Sequence, residues 1–468
     1  MSDIERKRIL KVVSIMAFLN IILIFYLTYF QIFQAENIKQ NPYNKRLWAD
    51  EQEIIRGSFY DRNNNVLAYS IIGENDNIER VYKYDYLYSH IIGYSFREYG
   101  KAGLEKTYNS SLIGNTNTID INNIKNLIGN ERQGNDIVLT IDHDIQQKSR
   151  ELLLGKKGSI ITMNPKTGEI YSMVSMPDFN VNNLANEWEN IIENPNSPLL
   201  NRATQGLYPP GSTFKIVTAL SSLQNDSTDT DYICTGSIIV DGYRINDYDG
   251  KNHGNVGLED AFIESCNTYF AEASLRLGHD KILETAENFY FNKKIQFDLD
   301  LKQSSFPTND MTKTELAASG IGQGRILVTP LEMLMVTSAI ANDGNIVKPH
   351  LVSKILSYKG DVIETRSIEI LNNVGNYNDV KKIQDMMIDA VRIGTGKNAK
   401  LRDITVAGKT GTAENSSGLD HAWFVGYAPA ENPKIAVVVL LEEEGATGGR
   451  SAAPIAKDLI EFSLQKLN

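Results

Sequence analysis

The chain has 468 residues, of which 42% are hydrophobic and 22% charged, with a net charge of -11. That is too long for one compact core, so two domains outside the membrane plus an anchor are expected. The acidic balance, with Lys and Arg clustered only at the N-terminus, argues against a nucleic-acid partner. Two cysteines, Cys234 and Cys266, cannot build a disulfide framework. No Cys/His pair has metal-ligand spacing either, so neither a metal nor a cofactor is expected. Cys266 reads as a reactive thiol or, more plainly, as a small buried residue.

Taken in order, Arg6, Lys7, Arg8 and Lys11 precede an apolar run from Val12 to about Phe33 that is long enough to span a bilayer. Tyr26, Tyr29, Phe30 and Phe33 form an aromatic interface belt, and the run has no signal-peptide cleavage site. Residues 1–11 are therefore expected in the cytoplasm and 12–34 in the membrane. Everything beyond lies outside the cell membrane, held by a single pass. Residues 35–133 read as a small β-rich N-terminal domain, with turns at Gly57 and Asn63–Asn65 and an Asn/Ile-rich connection from Asn109 to Asn130.

A change of texture near Gly134 opens a second domain, 134–468. Asn135–Ile141 reads as a strand, 142–154 as a helix, and 158–164 with 169–176 as a hairpin turning at Pro165–Gly168. Three more strands are expected at 404–412, 422–428 and 434–441, before a closing helix over 453–467. A sheet assembled from both ends of the domain, around a mostly helical block, gives an α+β architecture and places Lys409 beside the helix that carries Ser212.

That helix is announced by Tyr208-Pro209-Pro210-Gly211-Ser212-Thr213-Phe214-Lys215. Prolines and a glycine break regular structure just before helical periodicity begins, so Ser212 falls at a helix N-terminus with Lys215 on the same face. A serine hydroxyl becomes a nucleophile when a neighbouring base takes its proton, and a desolvated lysine serves as that base. Alone, Ser-x-x-Lys is more often a capping serine with a solvated lysine. Two further motifs change the balance: Ser265-Cys266-Asn267, inside a helix-like run from Leu258 to Leu277, and Lys409-Thr410-Gly411-Thr412 on a strand. Ser319–Gly324, with glycines at 320, 322 and 324, lacks the context of a phosphate loop and reads as a turn close to the site.

Together these residues resemble a class B penicillin-binding protein. The likeness runs from Arg56-Gly57, Asp61-Arg62-Asn63 and Gly103-Leu104-Glu105 through the three motifs, His253-Gly254, Gly322-Gln323-Gly324 and Trp423–Tyr427. The resemblance implies a transpeptidase fold, an antiparallel sheet flanked by helices with an all-helical subdomain, in a compact chain without C-terminal repeats. It also implies a D,D-transpeptidase that cross-links peptidoglycan stem peptides through an acyl-enzyme on Ser212, with β-lactams as covalent inhibitors.

By that scheme Lys215 is the base, Ser265 relays a proton, and Lys409 keeps Lys215 deprotonated by like-charge repulsion. Asn267 binds a substrate amide, while Lys409, Thr410, Gly411 and Thr412 hold the terminal carboxylate. The backbone amides of Ser212 and Thr412 form the oxyanion hole. The partners implied are stem peptides ending in D-Ala-D-Ala, the membrane, and a membrane-embedded polymerase of glycan strands. D,D-carboxypeptidases and serine β-lactamases share the motifs and pass the acyl group to water, and a non-catalytic scaffold is a further alternative. A β-lactam-sensing receptor would need several spans and a cytoplasmic effector.

Overall fold

A computed structural model describes residues 3–34, 54–73, 77–114, 133–228, 231–415 and 417–467. A helix over Asp3–Tyr29, widened in its last turn at Phe30–Gln34, carries the apolar N-terminal run. Its side chains are almost all exposed, and among the described residues it is the one helix long and apolar enough to cross a membrane. Most of the expected 109–130 connection lies outside the described residues. Its first part, Asn109–Leu112, is a short helix.

The central sheet has five antiparallel strands in the order Ala407–Ala413, His421–Ala428, Ile435–Leu441, Gly158–Met163 and Ile170–Met176. It is built from both ends of the second domain, as the sequence pattern implied. Every residue of Ile435–Leu441 is buried, which explains the unbroken apolar run: both faces of the sheet are covered. Alternation sorts the strand between two cores. Val437, Val439 and Leu441 pack with Leu459 and Ile460 of the closing helix Ala452–Lys466, whereas Val438 and Leu440 share a cluster with Leu331 and Leu334 of the helix Pro330–Ala341. The helical block, including Lys215–Gln224, Asn267–Leu277, His279–Asn288 and Tyr377–Arg392, lies on the second side.

A second sheet of six strands interleaves the two expected domains. Phe59–Tyr60, Val66–Ile72 and Ile78–Tyr82 come from the N-terminal region, but Asp136–Leu139, Val352–Leu356 and Val362–Thr365 belong to the same sheet. Phe59 and Tyr60 pair in parallel with Ile137 and Val138, and the Asp136–Leu139 strand pairs antiparallel with Val352–Leu356. Sequence order hides this because pairing partners more than 200 residues apart leave no local signal.

Two N-terminal landmarks meet in this region. Glu105 is fully buried and takes Arg56 Nε at 2.5 Å on one oxygen and Arg80 Nε at 2.8 Å on the other. The two guanidiniums hold its carboxyl below the usual range against the opposing cost of burial. Glu105→Ala would leave two guanidiniums buried without their shared anion, and we expect it to destabilise the fold by about 3–5 kcal/mol. A denaturant titration of the purified variant checks this.

Candidate active site

The nucleophile motif is wedged between the sheet and a glycine turn. Gly211 has φ 53°, and a Cβ there would lie 2.6 Å from the Thr412 carbonyl oxygen. Only glycine allows so close an approach to the edge strand. The Gly211 amide donates to the Gly322 carbonyl at 2.9 Å, while a Cβ on Gly322 would lie 2.1 Å from the Gly211 oxygen. The Ser319–Gly324 stretch is thus a turn packed on the nucleophile loop. On the other side, Trp423 Nε1 donates to the Pro209 carbonyl at 3.2 Å. Gly211–Phe214 forms a single 3-10 turn before the helix Lys215–Gln224, so Ser212 sits in the entry turn and Lys215 opens the helix.

Lys215 is fully buried. Its Nζ donates to the Ser265 carbonyl at 2.7 Å, to Asn267 Oδ1 at 2.8 Å and to Ser265 Oγ at 3.3 Å, and it stands over the Phe270 ring. Burial brings its pKa down to about 8, with Cys266 and Asp247 opposing. Lys409, also fully buried, approaches from the strand and donates to Ser265 Oγ at 2.8 Å. Burial first, and then the Lys215 charge, holds Lys409 well below the usual lysine value. Two amines this close to one hydroxyl disfavour each other's charge, in the direction the sequence implies.

The structure brings Lys215, Ser265, Asn267 and Lys409 into one hydrogen-bonded chain. The Ser212 hydroxyl is half-buried and has no hydrogen-bond partner among the described residues. The Lys215 amine instead engages the carbonyl and amide oxygens of the second motif, the stronger acceptors around it. Thr410 Oγ1 donates to Thr395 Oγ1 at 2.8 Å, and the backbone at Gly411 leaves room for Thr213 Cγ2, which would sit 3.0 Å from a Cβ there. Thr412 is half-buried at the edge where Gly211 approaches.

The helix expected over 258–277 is interrupted at the motif. Leu258–Ile263 and Asn267–Leu277 are separate helices, and Ser265 between them has φ 59°. The apolar pattern on either side is continuous, so the break left no trace in the periodicity. Asp247 meets it from outside the two helices, its Oδ1 accepting from the Asn267 amide.

Asp247 also belongs to a group that sequence spacing missed. Ligand atoms of Cys234, Asp247, His253 and Cys266 all lie within 4.8 Å of one another, with Cys234 Sγ 3.1 Å from Asp247 Oδ2 and 3.3 Å from His253 Nδ1. Two thiols, an imidazole and a carboxylate are the donors of a four-coordinate zinc site, so the residues fit such an ion. The ligands come from two hairpins and a helix start, which is why no short-range spacing announced them. Cys266 is fully buried, which fits the reading of this cysteine as a small buried residue rather than an accessible reactive thiol.

Comparison with known proteins shows which family this fold belongs to. The family described as penicillin binding protein transpeptidase domain matches residues 158–461, and the penicillin binding protein A dimerisation domain matches residues 56–137. The chain belongs to the penicillin-binding protein transpeptidase family. It is 31% identical to the peptidoglycan D,D-transpeptidase PbpA of Mycolicibacterium smegmatis over 93% of this chain and 94% of that one. It is also 31% identical to the peptidoglycan D,D-transpeptidase MrdA of Acinetobacter baumannii, over 82% of this chain and 66% of that one. The structure of penicillin-binding protein A from M. tuberculosis as a ceftriaxone acyl-enzyme complex superposes with a TM-score of 0.83 at 28% identity, covering 89% of this chain and all (100%) of the other. The D,D-transpeptidase domain of a peptidoglycan glycosyltransferase from Eggerthella lenta gives 0.81 at 33% identity, covering 88% and 99%.

Proposed function

We propose that this chain is a peptidoglycan D,D-transpeptidase in which Ser212 is the nucleophile and Lys215 its base. The observation that carries the assignment is the Lys215 amine, buried beside Ser265 and Asn267 with its pKa brought down to about 8. At neutral pH roughly a tenth of such an amine is unprotonated, against less than a thousandth for an ordinary lysine. Ser212 Oγ attacks the carbonyl between the two terminal D-alanines of a stem peptide, and its proton passes to Lys215. The amide bond to the last D-alanine breaks, and the leaving amine takes a proton through Ser265, which links Lys215 and Lys409. An amine of a second stem peptide then attacks the acyl-enzyme, its proton returns to Ser212 Oγ, and the cross-link is formed.

The amides of Ser212 and Thr412 are proposed as the oxyanion hole, supported by the close approach of Gly211 to Thr412, with a donor in such a site contributing roughly 3 kcal/mol. Asn267 is proposed to bind a substrate amide through the side chain that also contacts Lys215, and Lys409, Thr410, Gly411 and Thr412 to receive the terminal carboxylate. A β-lactam occupies the same place and stays on Ser212.

We assign residues 12–34 to the membrane, 1–11 to the cytoplasm, and 35–133 and 134–468 to membrane-proximal and catalytic parts outside. Basic residues ahead of one apolar helix support that orientation. Because this family reads as a cross-linker, a separate membrane-embedded polymerase of glycan strands is the proposed partner. Cys234, Asp247, His253 and Cys266 would hold a zinc ion that braces the Ser265–Asn267 turn and takes no part in acyl transfer. Elemental analysis of the purified protein is expected to give about one zinc per chain, and loss of that zinc in Cys234→Ser.

Incubation of the full-length protein in detergent with a fluorescent penicillin, followed by mass mapping, tests the central assignment. One adduct on the peptide containing Ser212 is expected; an unlabelled protein, or an adduct elsewhere, overturns it.

A further inference from the structure

Asp247 takes no part in the acyl transfer just described, yet its side chain is fully buried against the second motif. Oδ1 accepts from the Asn267 amide and, at 3.4 Å, from the Thr268 amide. Oδ2 accepts the Thr268 hydroxyl at 3.0 Å and faces the Cys234 thiol at 3.1 Å. The two amides open the Asn267–Leu277 helix and have no partner within it. The local cap, Cys266, offers only sulfur to the Tyr269 amide at 3.4 Å. Ser265, at φ 59°, adopts a backbone conformation that costs a serine about 1 kcal/mol. The turn that supplies all three acceptors of Lys215 is therefore one that its own residues do not favour. Asp247 reaches it from the end of the Tyr243–Asn246 strand, and the neighbouring Asn246 carbonyl accepts Asn267 Nδ2 at 2.9 Å.

We propose that Asp247 is a positioning residue of this active site, holding the Ser265–Asn267 turn in the one conformation that presents Ser265 and Asn267 to the Lys215 amine. The inference rests on Lys215 being the base. It has an electrostatic consequence that simple scaffolding lacks. The charged and titratable groups facing Lys215 are Lys409 from the edge strand, and Asp247 and Cys266 behind the turn, with His253 beyond them. Asp247 is one of the groups that raise the Lys215 pKa against burial. With neutral thiols the group behind the turn carries one net negative charge, that of Asp247. With a dication, two thiolates, one carboxylate and a neutral imidazole it carries the same net charge. Removing the Asp247 charge therefore lowers the Lys215 pKa in either state.

Asp247→Asn keeps a carbonyl oxygen for the two amides and removes the charge, whereas Asp247→Ala removes both. The test is the rate of acylation by a fluorescent penicillin, measured on the detergent-solubilised full chain from about pH 6 to about pH 10. Asp247→Ala is expected to lower the plateau rate about 100-fold, and Asp247→Asn to recover at least tenfold of that loss with its acid limb moved to lower pH. The proposal needs both signs: an Asn variant as slow as the Ala variant, or one whose limb stays with the parent, overturns it, as does an Ala variant at parental rate. If Asp247→Ala does not fold, the plateau and limb of Asp247→Asn against the parent decide alone. A parent that is not acylated at any pH would instead overturn the transpeptidase reading.

Discussion

Replacing Ser212 with alanine is expected to abolish the penicillin adduct and to cut D-alanine release from a stem-peptide substrate by on the order of 10⁵-fold. The loss is that large because the hydroxyl is the atom that forms the covalent bond, and no other group can take over. The first nucleophile-like neighbours, Thr213 and Ser265, are already engaged, Thr213 with the Pro210 carbonyl at 2.7 Å and Ser265 with both lysines. The thermal transition should not move by more than a degree or two, since the Ser212 hydroxyl has no hydrogen-bond partner among the described residues to lose. Intact mass after penicillin treatment and a D-alanine release assay check both halves. An adduct on the variant would mean that another residue is the nucleophile.

Lys215→Met should have the second largest effect, a fall of about 10³-fold in acylation together with a change in the shape of the pH profile. In the parent the rate should climb with pH through about 8, where the buried ammonium loses its proton and becomes able to accept one from Ser212. The sign follows from burial, which disfavours the charged amine; the working form therefore dominates above that pH and is scarce below it. Methionine preserves the stem volume but supplies no base, so the residual rate should no longer rise there. The Ser265 carbonyl and Asn267 Oδ1 would also lose a donor, at roughly 1–3 kcal/mol for buried acceptors left unmet. Stopped-time labelling across pH, with a melting curve for each variant, separates the two effects. A parental rise in the Met variant would remove Lys215 from the role of base.

Much of this architecture was legible because the central sheet is written in short apolar runs with turn residues between them. Ile435–Leu441 and the hairpin around Pro165–Gly168 announce themselves locally. The motifs were legible too, since each needs a residue type at a fixed spacing. What stayed hidden depends on partners distant in the chain. The break at Ser265 lies where Asp247, twenty residues before Asn267, accepts the Asn267 amide, and the apolar periodicity of 258–277 runs straight through it. The Cys234, Asp247, His253 and Cys266 group arises only when two hairpins fold onto a helix start. The lowered pKa of Lys215 and of Lys409 likewise comes from burial that the tertiary fold creates.

The six-stranded sheet bears on how the molecule can be divided. A recombinant fragment begun at Gly134 would discard Phe59–Tyr60, the strand that pairs with Ile137 and Val138, and leave one flank of Asp136–Leu139 bare. Exposed ladder groups of that kind recruit strands from neighbouring molecules. The Asp136–Leu139 strand also pairs with Val352–Leu356, so the damage would extend to chain well beyond the cut. The strands from the 56–82 region are thus a structural lintel for the second half of the chain, and any pull or push applied to them reaches it through the hydrogen-bonded ladder of one shared sheet.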